Sequence, residues 1–210
     1  MTDQPSSKSQ ASKERQAVRA ARRQQEILTV AARLFAEVGY ERTTLDLIAE
    51  ELGLTKPSLY YYVRSKEDVL AHIFRRTYEG ILAQVTPEML AALPPVGQLR
   101  RLIAAYVQQA CVYPEGRALF LYQPYLISVC QPDMLALREQ FQQRLVEAVA
   151  QGIRDGVFQV SDAKLAALAI IGALYSLPLW YTNTGPLTPE QIAENYARML
   201  IGGLVNPLPA

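Results

Sequence analysis

TTLDLIAEELGLTKPSLYYYVRSK, residues 43–66, is the stretch whose reading decides the fold. Leu45, Ile48, Ala49 and Leu52 recur at helical spacing and make one apolar face. Gly53 follows, and a glycine can end a helix in the left-handed conformation at little steric cost. Thr55 then caps a second helix, with Pro57 in its first turn, where a missing N–H loses nothing. Leu59 and Val63, four apart, face inward against the first helix. Lys56, Ser58, Tyr60 and Tyr61 are left pointing outward. A short helix that shows water a cation, a hydroxyl and two phenols is suited to the major groove of DNA.

At these residues the chain resembles the TetR family of bacterial transcriptional repressors. The resemblance runs from near Ile27 to about Phe74. It includes ILTVAARLFAEVGYERTT, LIAEELGLTKPSLYYYV and the lysine of SKEDVL. Beyond it, the likeness lies in helical layout and in the ending WYTNTGPLTPEQIAENYARMLIGGL. The resemblance implies a DNA-binding repressor, released from a palindromic operator by a small apolar or amphipathic ligand. In the family, the positions of Lys56, Pro57 and Ser58 read bases. The threonine matching Thr44 and the lysine matching Lys66 hold backbone phosphates, and the aromatics at Tyr60 and Tyr61 touch phosphates and thymine methyls. With the cap Thr55, the expected DNA-binding set is Thr44, Thr55, Lys56, Pro57, Ser58, Tyr60, Tyr61 and Lys66.

Charge distribution agrees with that placement. The 210-residue chain has a net charge of only +1. Residues 1–25 nevertheless carry six Lys or Arg against two Asp or Glu, while residues 67–210 carry ten against twelve. The basic excess sits beside the helix pair, where phosphates would be. Residues 1–20 are polar and basic with little to bury, and read as a flexible arm that turns helical near its end. Arg19, Arg22 and Arg23 are best placed to touch DNA.

A first helix is predicted over about Arg22–Val38, buried along Ile27, Ala31, Leu34, Phe35 and Val38 and ended by Gly39. Thr43-x-x-Asp46 fits a capping box for the next helix, with Thr44 as an alternative cap. Ser65 and Asp68 cap a fourth helix that runs to about Val85. Lys66 at its start opposes the helix dipole, which a phosphate partner would explain. Thr86–Val96 holds three prolines and reads as a connector. Further helices are expected over about Gly97–Tyr113, Glu115–Val129 with a kink at Pro124, Pro132–Gly156, Ser161–Tyr181 and Pro189–Leu204. Gly152 and Gly156 are expected to loosen the end of the third of these. Ser161–Tyr181 is apolar almost all round and must be covered on every face. Thr188, Pro189 and Gln191 form the cleanest helix start in the chain. Ile192, Tyr196, Met199, Leu200 and Gly203 are read as the inward stripe of the last helix.

The fold class is therefore all-α. A flexible basic arm (residues 1–20) precedes a three-helix helix-turn-helix domain (residues 21–66) and a helical domain for ligand binding and dimerisation (residues 67–210). The last two helices, about 161–204, are the expected homodimer contact. Tyr106, Phe120, Tyr122 and Tyr125, around the kinked helix, are either ordinary core or the lining of a ligand pocket. Double-stranded operator DNA, an unidentified small-molecule inducer and a second copy of the chain are the expected partners. No cofactor, metal site or membrane span is expected: the chain has one histidine and two cysteines without zinc spacing, and its longest apolar run is broken by Gly172, Ser176 and Pro178. No nucleophile motif, phosphate loop or catalytic carboxylate pair stands out, so the protein is read as a cytoplasmic regulator and not an enzyme. An activator, a regulator without a ligand, and a helical binding module that has lost DNA function remain open.

Overall fold

The computed structural model describes residues 7–121 and 132–205, all helix and connecting turn, with no strand among them. The chain divides into two compact units at Val69/Leu70.

The first unit is built on α1 (Ser7–Glu37), α2 (Leu45–Glu51) and α3 (Lys56–Tyr60), with the first turn of α4 (Lys66–Ala83). Its core is Ile27, Ala31, Phe35, Tyr40, Ile48, Leu59 and Val63, each almost fully buried. α1 begins at Ser7, well before the expected Arg22. Residues 7–21 are rich in Ala, Gln, Lys, Arg and Glu, all strong helix formers, so the helix extends without any core to bury against. The exposed side chains of Arg15, Val18 and Arg19 fit that origin. Gly39 and Gly53 both take positive φ (97° and 60°) and turn the chain after α1 and α2.

The two threonines before α2 divide their roles. The N-cap is Thr44, whose Oγ1 accepts the Leu47 N–H at 3.1 Å. Thr43 is fully buried, and its hydroxyl donates to the Gly39 carbonyl (2.8 Å) and the Leu34 carbonyl (3.3 Å). The Thr43–Asp46 capping box does not form, because burial takes Thr43 away from the helix end.

The second unit is a bundle organised on α6 (Pro95–Val112), whose buried side includes Leu99, Leu102, Ile103, Tyr106 and Val107. Around it pack α7 (Pro114–Leu121), α8 (Pro132–Arg154) and α11 (Pro189–Val205). α9 (Ala163–Tyr175) packs on α8. The single helix expected over 161–181 is two: Pro178 starts a short α10 (Leu177–Trp180), since it cannot continue the backbone ladder of α9. α5 (Pro87–Ala91) stands where a connector was expected. Thr86 caps it by accepting the Met89 N–H, with Pro87 at the first position. The same device opens α11, where Thr188 and Gln191 exchange hydrogen bonds.

Gly152 does not loosen α8. A Cβ there would lie 2.0 Å from the Phe158 ring, which is 3% exposed, so the absent side chain makes room for that phenyl. Gly156, at φ 70°, ends the helix, and the Val157 N–H donates to the Gly152 carbonyl at 2.8 Å.

α9 is not covered on every face. Leu165 and Leu168 are exposed, as is Met199 on α11, which with Gly203 faces outward rather than along the expected inward stripe. The buried side of α11 is Ile192, Ala197, Ile201 and Leu204.

At Gly116, α7 comes close against the backbone of α6. A Cβ on Gly116 would fall 1.9 Å from the Gln109 carbonyl oxygen, a backbone atom that cannot rotate away. Gly116→Ala should cost about 1–3 kcal/mol by overpacking and lower the thermal midpoint by several degrees. Urea unfolding of the variant checks this, and an unchanged midpoint would mean that α7 does not pack this closely in solution.

Candidate nucleic-acid interface

α2 has seven residues and α3 five, too short to hold a helix by propensity alone, so caps and buried side chains define them. Thr55 caps α3 by accepting the Ser58 N–H, and the hydroxyls of Thr55 and Ser58 lie 2.8 Å apart. Leu59 is fully buried and Val63 nearly so. With that side of α3 committed to the core, Lys56, Pro57, Ser58 and Tyr60 are all exposed. Tyr61, at the C-cap, is 77% exposed and meets Tyr62 edge-on at 5.1 Å between ring centroids. Tyr62 is half-buried. The free hydroxyl side of Thr44 is exposed at the start of α2. One surface of the first unit thus carries a cation, hydroxyls, phenols and helix starts. Groups of these kinds are able to donate to phosphate oxygens and to base edges.

Two cations differ from their sequence reading. Lys66 does not stand free at the start of α4. Its ammonium donates to the Tyr40 carbonyl at 2.8 Å and the Glu41 carbonyl at 3.4 Å, and lies 4.2 Å from the centre of the Tyr40 ring. The counter-dipole cation therefore has partners inside the fold, and of its three donors one is left for a phosphate. Arg23 is half-buried, pairs with Glu26 at 2.6 Å and donates to the Leu52 carbonyl at the end of α2. Arg19 and Arg22 are more exposed. Nearby, the Tyr40 hydroxyl donates to Glu67. Glu67's own backbone N–H, Ser65 and Tyr40 hold its carboxyl below the usual carboxylate range.

Lys56 also has a partner that the sequence did not suggest. Its ammonium contacts both carboxylate oxygens of Asp46, at 2.9 and 3.0 Å, across the space between the starts of α2 and α3. A spacing of ten residues over a turn carries no periodic signal, which is why Asp46 was read only as a helix-capping acid.

Of the residues expected around a ligand, Tyr106 is fully buried in the second unit. It stacks on Phe141 at 5.7 Å and meets Tyr175 at 6.0 Å. Burial, then the neighbouring phenols Tyr78 and Tyr175, pushes its hydroxyl well above the ordinary range. The Tyr78 and Tyr175 hydroxyls lie 3.5 Å apart, and Gln142 donates to Tyr175 at 3.4 Å. Phe120 lies on α7 but its side chain is outside the described part, and Tyr122 and Tyr125 fall outside the described residues altogether. Tyr78, Phe141, Gln142 and Tyr175, from three helices, were missed. Tyr78, Phe141 and Tyr175 lie in ordinary apolar stripes and Gln142 is one of several glutamines on α8, so only packing brings them together around Tyr106. Cys111 is buried, and desolvation pushes its thiol up to about 11, the behaviour of a small core residue. Among the described residues no group of His, Cys, Asp and Glu could hold a metal ion.

Comparison with known proteins places these features. Residues 27–73 match the model of the tetR family of bacterial regulatory proteins, and residues 92–204 match the tetracyclin repressor-like C-terminal domain. The transcriptional repressor KstR2 of Mycolicibacterium smegmatis is 27% identical over 189 residues, covering 88% of this chain and 91% of that protein. The crystal structure of the TetR-family regulator PfmR from Thermus thermophilus superposes with a TM-score of 0.74 at 30% identity, covering 86% of this chain and 99% of that one. AibR, solved with isovaleryl coenzyme A and operator DNA, gives a TM-score of 0.73 at 25% identity, covering 85% and 98%.

The internal contacts of Lys66 and a contact to phosphate separate experimentally. Lys66→Met keeps the aliphatic stem over Tyr40 but removes the donors to Tyr40 and Glu41. It should cost about 1–2 kcal/mol of stability, read by urea unfolding. If the remaining donor meets a phosphate, the salt slope of DNA binding should also fall by about one unit per subunit. A loss of stability with an unchanged slope would leave Lys66 a purely internal tie.

Proposed function

The chain belongs to the TetR family of bacterial regulatory proteins, and from that premise we infer that it represses transcription by occupying a palindromic operator as a homodimer. The observation that carries this reading is the outer side of α3. Its inner side is buried through Leu59, so Lys56, Pro57, Ser58, Tyr60 and Tyr61 are exposed together on a unit that matches the family's DNA-binding model. In this reading residues 21–66 are the DNA-binding domain and residues 1–20 an electrostatic arm, helical from Ser7. Residues 67–210 bind ligand and dimerise. Lys56, Pro57 and Ser58 meet base edges in the major groove, while Thr44, Thr55, Tyr60, Tyr61 and the spare donor of Lys66 hold phosphates. Two half-sites would lie about 34–36 Å apart, or a small multiple of that turn. The work is done by binding alone, with no chemical step, in the cytoplasm where the operator is.

The dimer contact is assigned to the outward faces of α9 and α11. Leu165, Leu168 and Met199 are exposed there, beside a groove of about 480 Å³ lined by Ala166, Ala169, Ile170, Leu200 and Leu204. Apolar groups of that size left in water mark an association surface. The inducer is assigned to the bundle around Tyr106, Phe141 and Tyr175 and, from sequence, Phe120, Tyr122 and Tyr125. Arg138, one turn before Gln142 on α8, has a buried Nε with no hydrogen-bond partner among the described residues. Phenyl rings and hydroxyls, with the unpartnered Arg138 Nε on the same helix as Phe141, suit an amphipathic molecule with an acyl or aromatic body and a polar or anionic end. A coenzyme A thioester, as bound by AibR, is the chemical class to try first. To move an operator-bound population from 99:1 to 1:99 the ligand must prefer the released state by roughly 5.5 kcal/mol.

Fluorescence anisotropy with DNA from upstream of the gene, against scrambled DNA at two salt concentrations, tests the reading. Tight binding to the first and weak, salt-sensitive binding to the second is expected, and equal weak binding to both would refute an operator there. Lys56→Ala should relax or abolish sequence preference, and an intact preference would remove it as a base reader. Leu168→Glu should yield monomers by light scattering and lose tight operator binding; a dimer that survives would move the contact elsewhere.

A further inference from the structure

The recognition helix opens with a cation that is already engaged. The Lys56 ammonium sits between the two oxygens of Asp46, 2.9 and 3.0 Å away, while both side chains remain mostly exposed, at 59% and 64%. Hydrogen bonding to Asp46, then its charge, raises the Lys56 pKa. The pair holds nothing of the fold together that the caps and the buried Leu59 do not already hold, and exposed pairs of this kind contribute little to stability. Its location is what gives it meaning. A carboxylate stands on the surface that carries Thr44, Lys56, Tyr60 and Tyr61, where a polyanion is to dock.

We propose that Asp46 is a specificity-determining residue: it positions Lys56 for a base edge and keeps that lysine from serving as a general phosphate contact. The proposal rests on the DNA-binding reading above and adds to it a role for an acid on the binding face.

The argument is one of competing acceptors. An ammonium has three donors, and the two oxygens of Asp46, both within 3.0 Å, share the side of it that faces α2. A donor on its other side can reach a guanine O6 or N7 in the groove without breaking the pair. A lysine biased this way enters the complex with part of its rotamer freedom already lost, so the correct contact costs less to form. To reach a phosphate instead, the flexible stem must swing away from Asp46. That leaves an unpaired carboxylate beside the phosphate backbone, where like charges repel. A free lysine at this position would be drawn to any phosphate and would strengthen binding to all sequences alike. Asp46 therefore acts on the difference between specific and unspecific affinity and not on affinity as such.

Asp46→Asn keeps the size and a hydrogen-bonding oxygen but removes the charge, at an exposed position in the first turn of α2 where the lost charge weakens the helix start only slightly. Anisotropy titrations of the full chain with operator and scrambled duplexes should show the ratio of the two affinities falling on the order of tenfold, mainly through tighter binding to the scrambled DNA. The salt slope for scrambled DNA should steepen by about one unit per subunit as Lys56 becomes a phosphate contact. In a Lys56→Ala background the same substitution should leave the ratio unchanged. An unaltered ratio in the single variant would overturn the proposal. So would an equal effect in the Lys56→Ala background, which would make Asp46 a repulsive charge independent of the lysine. A loss of operator affinity with scrambled binding untouched would also overturn it, since Asp46 would then read a base itself. If the wild-type chain prefers no duplex at all, the functional reading fails and this proposal with it. The wild-type titration, run first, separates that case from the others.

Discussion

A five-residue helix cannot exist in water by itself, and the DNA-facing surface depends on making one exist. Nucleating a helical turn fixes several dihedrals for one hydrogen bond, and α3 has no length over which to recover that cost. Three local features offset it. Thr55 accepts a first-turn N–H, Pro57 enters with its φ already set, and Leu59 is withdrawn completely from water. Burial of Leu59 is the decisive one, because it also fixes rotation. Once that side chain points inward, a period of 3.6 residues turns Ser58 and Tyr60 away from the core, while Lys56, at the open start of the helix, stays in water. The stability of the helix and the identity of its exposed residues thus follow from the same contact.

Thr43 fixes the approach to that surface in a similar way. Its buried hydroxyl donates to the carbonyls of Leu34 and Gly39, at the end of α1 and in the turn that follows. A buried hydroxyl without such partners would be costly, so the turn after α1 is held in one geometry. Thr44 is then left at the surface as the cap of α2. Lys66 adds a second tie to the same turn through the carbonyls of Tyr40 and Glu41. Polar groups that a sequence reading assigns to DNA are therefore also what shapes the loop beside it.

Much of this was legible from residue types and spacing. Gly39, Gly53, the Thr55–Pro57 start and the Thr188–Gln191 box all act as read, because a cap or a left-handed glycine is a local device whose physics involves a few neighbouring residues. What was misread depends on longer range. Nothing in two adjacent threonines says which one the core will take. The early start of α1 comes from helix propensity without burial, and a search for apolar stripes does not detect that. α5 has the same Thr-Pro opening as α11, but three nearby prolines made the segment look like a connector. The Asp46–Lys56 pair crosses a turn at a spacing with no helical period, and the cluster of Tyr78, Tyr106, Phe141 and Tyr175 joins helices distant in sequence. The helix-turn-helix unit was legible because its logic is local. The bundle that would hold a ligand was legible only as helices.

The charge balance connects the two units functionally. A chain of net charge +1 has little long-range attraction for DNA, and within the first unit several cations are already occupied: Arg23 by Glu26 and Leu52, Arg33 by Glu37 and Glu51, Lys56 by Asp46. The cations nearest the recognition helix are thus partly committed within the fold, and much of the phosphate contact falls to the arm and to Lys66, each neutralised phosphate being what sustains binding at physiological salt. Such a surface binds tightly only when two copies act together, since the second then engages at a high effective concentration. Leaving Leu165, Leu168 and Met199 exposed on the second unit is unfavourable for a monomer. It is favourable for a protein whose operator affinity comes from pairing two weak, selective surfaces. Restraint at the DNA face and apolar exposure on α9 and α11 are then two sides of one design: the first keeps a single copy from binding everywhere, and the second makes the double copy bind somewhere.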